Sequence, residues 1–88
     1  MKFEWDENKS ISNEGKHGID FKSATELWND IDRVEIQTSF TDEIRHILIG
    51  KIKSKVWVVV FTTRNDAIRI ISVRRARKKE QTLYEQEK

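Results

Sequence analysis

The chain has 88 residues, room for one domain (1–88) with one core, and Leu, Ile, Val and Phe make up 24 of them, enough apolar mass to fold. Absence of cysteine excludes disulfides, a thiol nucleophile, an iron–sulfur cluster and any thiolate zinc site. The longest apolar run, Val56–Phe61, is far short of a bilayer span of roughly 20 residues, and the acidic Met1–Glu7 start has no signal-peptide character, so no membrane association and a cytoplasmic location are expected. The net charge of +2 hides a division: residues 1–44 carry 5 Lys and Arg against 11 Asp and Glu, and residues 45–88 carry 12 against 4. Such a basic half suits a polyanion, most often nucleic acid, unless the two halves neutralise each other.

In chain order, Asp6 can N-cap a polar helix running to about Gly15, with Gly15 and Gly18 as stop signals. Asp20 can cap a second helix, on which Phe21, Ala24, Trp28 and Ile31 recur at helical spacing and Ile19 staples back onto Ala24. From Arg33 the period becomes alternating. Strands are predicted at Val34–Thr38, Arg45–Ile52, Val56–Thr63 and Ala67–Val73, the last three joined by short hairpin connections. Val58–Phe61 is apolar on both faces and reads as a central strand. A last helix is predicted over Arg74–Lys88; the five cations between Arg74 and Lys79 at its start oppose the helix dipole, which suggests a role other than helix stability. The resulting order, ααββββα, is an α+β fold with two N-terminal helices, a four-stranded antiparallel sheet and a C-terminal helix.

Candidate functional residues are few. Lys16-His17-Gly18 reads either as a favourable basic helix end or as a titratable His beside a phosphate-binding Lys. Simple alternation puts Arg69 on a strand face otherwise made of Ala67, Ile71 and Val73, where it either binds phosphate or pairs with an N-terminal carboxylate. Arg45 and Lys51 share a face with Ile47 and Ile49, and Arg64 ends the central strand. Converging guanidinium groups suit phosphate through their planar, permanently charged fork. Two distant histidines, His17 and His46, give no metal-ligand spacing, and there is no phosphate-cradling loop or nucleophile elbow, so neither metal nor cofactor is expected. Trp28 and Trp57 read as core, while Trp5 between two acidic residues is open to either use; Tyr84 either transfers a proton or stacks on a base, or closes the last helix on the sheet.

The ordered set Phe3-Glu4-Trp5-Asp6-Glu7, Asn13, Lys16-His17-Gly18-Ile19, Phe21, Arg45, Ile49-Gly50, Thr62, Arg64, Arg69 to Ala76, Glu80 and Tyr84-Glu85 resembles the BrnT family, ribonuclease toxins of type II toxin–antitoxin systems. The resemblance implies a RelE-like fold and a metal-independent endoribonuclease that blocks translation. It further implies a cognate BrnA-type ribbon-helix-helix antitoxin, in a heterotetramer that binds operator DNA through the antitoxin. Carried onto this chain, it implies His17, Arg64, Arg69, Arg74 and Tyr84 as catalytic groups and Lys16, Arg45 and Arg75 as RNA contacts. The alternatives are a non-catalytic RNA- or ribosome-binding module and a protein-interaction subunit.

Overall fold

A computed structural model describes residues 1–39 and 44–87. The chain order is β1 (Lys2–Glu4), α1 (Glu7–His17), α2 (Phe21–Ala24) running into a 3₁₀ segment (Thr25–Asn29), β2 (Val34–Ser39), β3 (Ile44–Ile52), β4 (Lys55–Arg64), β5 (Ala67–Arg75) and α3 (Lys78–Glu87). The sheet order is β1-β5-β4-β3-β2, with β1 parallel to β5 and the other pairs antiparallel.

This corrects the expected four-stranded antiparallel sheet behind two N-terminal helices. The sheet is five-stranded and mixed, because Lys2–Glu4 precedes the first helix and pairs with Ala67–Arg69. Three residues are too few to display a period, and their partner lies more than 60 positions away. The second predicted helix is a single α-turn followed by 3₁₀ structure, and Ile31 is 91% exposed instead of joining its apolar face. α1 passes through Gly15 to His17, and Gly18 then supplies the left-handed cap at φ 78°. β5 continues to Arg75, so Arg74 and Arg75 belong to a strand and only Lys78 and Lys79 oppose the α3 dipole. The predicted end of that helix at Lys88 lies outside the described residues.

Local chemistry explains the elements that were anticipated. Asp6 accepts from the Asn8 and Lys9 amides and Asp20 from the Ser23 amide, capping α1 and α2. Arg64 pairs with Ala67, leaving Asn65 and Asp66, both at positive φ, as the two-residue turn whose twist matches a tight hairpin. β4 is the central strand and is covered on both sides. On one face Phe21, Ala24, Leu27 and Trp28 pack over Leu48, Val59, Phe61 and Ile70. On the other, Leu83 and Tyr84 of α3 pack with Ile47, Ile49, Val56 and Val58. Gly50 permits the first packing, since a Cβ there would stand 3.2 Å from Leu27 Cδ2, a side chain with no exposure. β1 reaches only as far as Arg69, and beyond it α1 takes over the edge of β5 through the Asn13 side chain. Among the described residues, no helix is long and apolar enough to cross a membrane.

Candidate functional site

The site begins with an irregularity in β5. Strict alternation places Ile70 and Val73 on opposite faces, yet both are buried in the same layer. The β4–β5 ladder is interrupted: Val60 pairs with Ser72 and Phe61 with Ile70, which leaves Ile71 as an extra, bulged residue. The bulge reverses the phase beyond Ile70, so Arg69 stands on the opposite face from Val73 and not on the same face as simple alternation predicted, and it is flanked by Thr62 of β4 and Glu4 of β1. The Arg69 guanidinium donates to Glu4 Oε2 at 3.1 Å, each side chain about a third exposed (34% and 36%). Of the two sequence readings of Arg69, the pairing with an N-terminal carboxylate is present, and the same guanidinium also lines an open cleft.

That cleft, of about 630 Å³, lies where β3 starts, β4 ends and β5 starts, and Lys9, Arg45, Thr62, Arg64, Arg69 and Ile71 are among its walls. The hairpin register brings Arg45, Arg64 and Arg69 there from three strands. Lys9 comes from the first turn of α1, whose direction is fixed by the Asp6 cap. A second depression of about 240 Å³ adjoins it, lined by Lys9, Ser12, Lys16, His17, Ile71 and Ser72, so Lys9 and Ile71 border both. Four cations in one cleft raise the local concentration of anions and offer donors to phosphate oxygens.

The remaining candidates lie outside both depressions. Arg74 is held by two parallel hydrogen bonds to Glu80, at 2.8 and 2.7 Å. That pairing holds the Glu80 carboxyl below the usual carboxylate range, with the Arg77 amide assisting. The Arg75 guanidinium lies 5.4 Å from the centre of the Trp57 ring. Tyr84 is 2% exposed and donates to Asp30 Oδ2 at 2.7 Å. Burial, then the Asp30 carboxylate, drive its hydroxyl pKa upward. It packs near Lys51, six residues and thus about 20 Å along β3 from Arg45. Trp28 and Trp57 are core, and Trp5 Nε1 donates to Glu7 Oε2 at 3.1 Å.

Of the sequence candidates, the structure therefore brings together Arg45, Arg64 and Arg69, sets Lys16 and His17 next to them, and leaves Arg74, Arg75 and Tyr84 elsewhere. Sequence reasoning missed Lys9 and Glu4. A lysine in the first turn of an Asp-capped helix opposes the dipole, and that was the available signal for Lys9. For Glu4, pairing of Arg69 with an N-terminal carboxylate was one expectation, but which carboxylate was not legible, because the strand that holds Glu4 was too short to recognise.

Among the described residues, no group of three or more His, Cys, Asp or Glu side chains is placed to hold a metal ion. A concave, arginine-lined end of a mixed sheet is a cationic surface suited to phosphate-bearing polyanions. The chain belongs, more particularly, to the family of BrnT ribonuclease toxins of type II toxin–antitoxin systems, whose family model matches residues 5–80. Membership carries ribonuclease activity, toxicity and an antitoxin partner at the level of the family. Comparison with individually curated proteins returns no match.

Proposed function

We propose that the protein is a metal-independent endoribonuclease that cuts RNA in the Arg45–Arg64–Arg69 cleft. The observation that carries this reading is the convergence of three arginines from three strands on one concave surface. In the reaction, the ribose 2′-oxygen attacks the adjacent phosphorus and the bond from phosphorus to the 5′-oxygen breaks, leaving a 2′,3′-cyclic phosphate and a 5′-hydroxyl. Arg64 and Arg69 stabilise the charge that grows on the phosphorane oxygens, a role for fixed cationic donors. Arg45 and Lys16 hold flanking phosphates. The proton of the 2′-hydroxyl goes to a base and another reaches the leaving oxygen. His17, which lines the adjoining depression, is the group for one of these transfers, since an imidazole has one ring nitrogen that can accept a proton and another that can donate one. In this reading Arg74 and Tyr84, tied to Glu80 and Asp30, keep α3 on the sheet, and Arg75 packs on Trp57.

Cleavage of cytoplasmic RNA in this way stops translation. The neutralising partner is a BrnA-type ribbon-helix-helix antitoxin that covers the basic cleft, in a heterotetramer whose antitoxin part binds operator DNA. The test is cleavage of a defined single-stranded RNA by antitoxin-free protein in excess EDTA, with analysis of 3′ ends and Arg69→Ala alongside. Cyclic phosphate ends, lost in the variant, are expected. Silence on both naked RNA and translating ribosomes rejects the enzyme in favour of a binding module.

A further inference from the structure

The two depressions share a wall, and Lys9 is the charged residue on it. Its side chain is exposed, and it stands in the first turn of α1, where a positive charge is unfavourable to the helix itself. Lys16 follows two turns later, about 10 Å further along the axis, and lines the second depression with His17. Cations therefore follow one another from Arg45, Arg64 and Arg69, over Lys9, to Lys16.

We infer that Lys9 is a phosphate-binding residue and that the second depression is an extension of the RNA site, so that the substrate is an extended single strand held beyond the scissile phosphate. The inference rests on the ribonuclease reading, which already draws on Lys16 and His17 of the second depression, and adds Lys9 as the contact that carries the strand from one hollow to the other. The concavity of both depressions selects the strand type. A groove of cations accommodates a flexible single strand that changes direction from the sheet end onto α1, whereas a duplex, stiff over roughly 150 base pairs, bridges such hollows without entering them. The hydroxyls of Ser12 and Ser72 in the second depression add neutral donors for phosphate or ribose oxygens.

The experiment uses a fluorescent 12-nucleotide 2′-O-methyl RNA, which keeps every phosphate and lacks the attacking hydroxyl, with the Kd measured by anisotropy across a salt series. Lys9→Ala is expected to bind about fivefold or more weakly and to lower the slope of log affinity against log salt by about 0.7, the loss of one phosphate contact on a single strand. Lys9→Arg restores both, and a duplex of the same sequence competes poorly. Circular dichroism verifies that the variants are folded. Wild-type affinity and slope in Lys9→Ala, or equal competition by the duplex, overturn the inference while leaving cleavage in the arginine cleft intact. Wild-type protein that neither binds nor cleaves RNA instead overturns the ribonuclease reading and this one with it.

Discussion

The side-chain amide of Asn13 stands in for a neighbouring strand on Val73: Nδ2 donates to the Val73 carbonyl at 2.9 Å and Oδ1 accepts from the Val73 amide at 3.2 Å. The same Nδ2 reaches the Ile19 carbonyl at 2.9 Å, and Ser10, one turn earlier, accepts from the Phe21 amide at 2.9 Å. α1 is thus fastened to the sheet edge by two buried polar side chains, which its slight apolar content made necessary. Asn13→Ala leaves the Val73 amide and two carbonyls without a partner and is expected to cost about 2–4 kcal/mol, at roughly 1–3 per unsatisfied group with partial relaxation. Asn13→Asp sets a carboxylate against two carbonyl oxygens and should cost no less. Urea unfolding measures both, and a change under about 0.5 kcal/mol in Asn13→Ala would contradict this role.

How much of this was legible follows from how far each signal travels along the chain. The caps Asp6 and Asp20, a turn expected at Arg64-Asn65-Asp66, the doubly apolar β4 and the core tryptophans Trp28 and Trp57 all rest on residues within a few positions of each other, and the structure agrees with them except that Arg64 stays in β4 and the turn is Asn65-Asp66. What escaped depends on distant partners. β1 exists because of β5, the bulge at Ile71 because of the β4 register, and the strand at Arg74 and Arg75 because β4 extends beside it. The candidate site divides along the same line: Arg45, Arg64 and Arg69 meet because hairpin register is local, whereas Lys9 joins them only through the docking of α1.

Acid should weaken the attachment of α3. Hydrogen bonds from Arg74 keep the Glu80 carboxyl pKa low; at Asp30 burial alone acts upward, but the Tyr84 hydroxyl and the Asp32 and Lys51 amides outweigh it. Both folded-state values lie below the unfolded ones, so protonation favours the unfolded chain. The stabilisation is complete above the ordinary carboxylate range, about pH 4–4.5, and is lost as pH falls below it toward the folded-state values. Unfolding free energies from pH 7 to 3 should show this decline. Asp30→Asn/Glu80→Gln should be less stable at pH 7 yet lose less on acidification, and an unchanged acid slope would show that other groups govern it.

Tyr84→Phe separates a structural tyrosine from a reacting one. The ring stays in the second core cluster and only the hydroxyl that donates to Asp30 is lost, with an expected cost of about 1.5–3 kcal/mol for a hydrogen bond to a charged group. Cleavage by the folded variant should stay within about threefold of wild type. Arg69→Ala, which removes a cationic donor from the cleft, should lose on the order of 10²–10³ in rate. A comparable loss in folded Tyr84→Phe would return the hydroxyl to the reaction.

Glu4 provides the last prediction, because its carboxylate touches Arg69, a cation of the cleft, and it lies outside the 5–80 family match. Its ion pair with Arg69 is about a third exposed, so solvent screens it and Glu4→Gln should change stability by less than about 1 kcal/mol. The amide still accepts a hydrogen bond from Arg69 but no longer neutralises it. RNA affinity at low salt should therefore rise severalfold, and the salt slope should steepen by up to about 0.7 as a phosphate takes the position of the carboxylate. The same measurement on Arg69→Glu should show affinity lost and the slope reduced. If Glu4→Gln instead lowers affinity, the carboxylate is needed to hold Arg69 toward the cleft, and its charge does not compete with RNA.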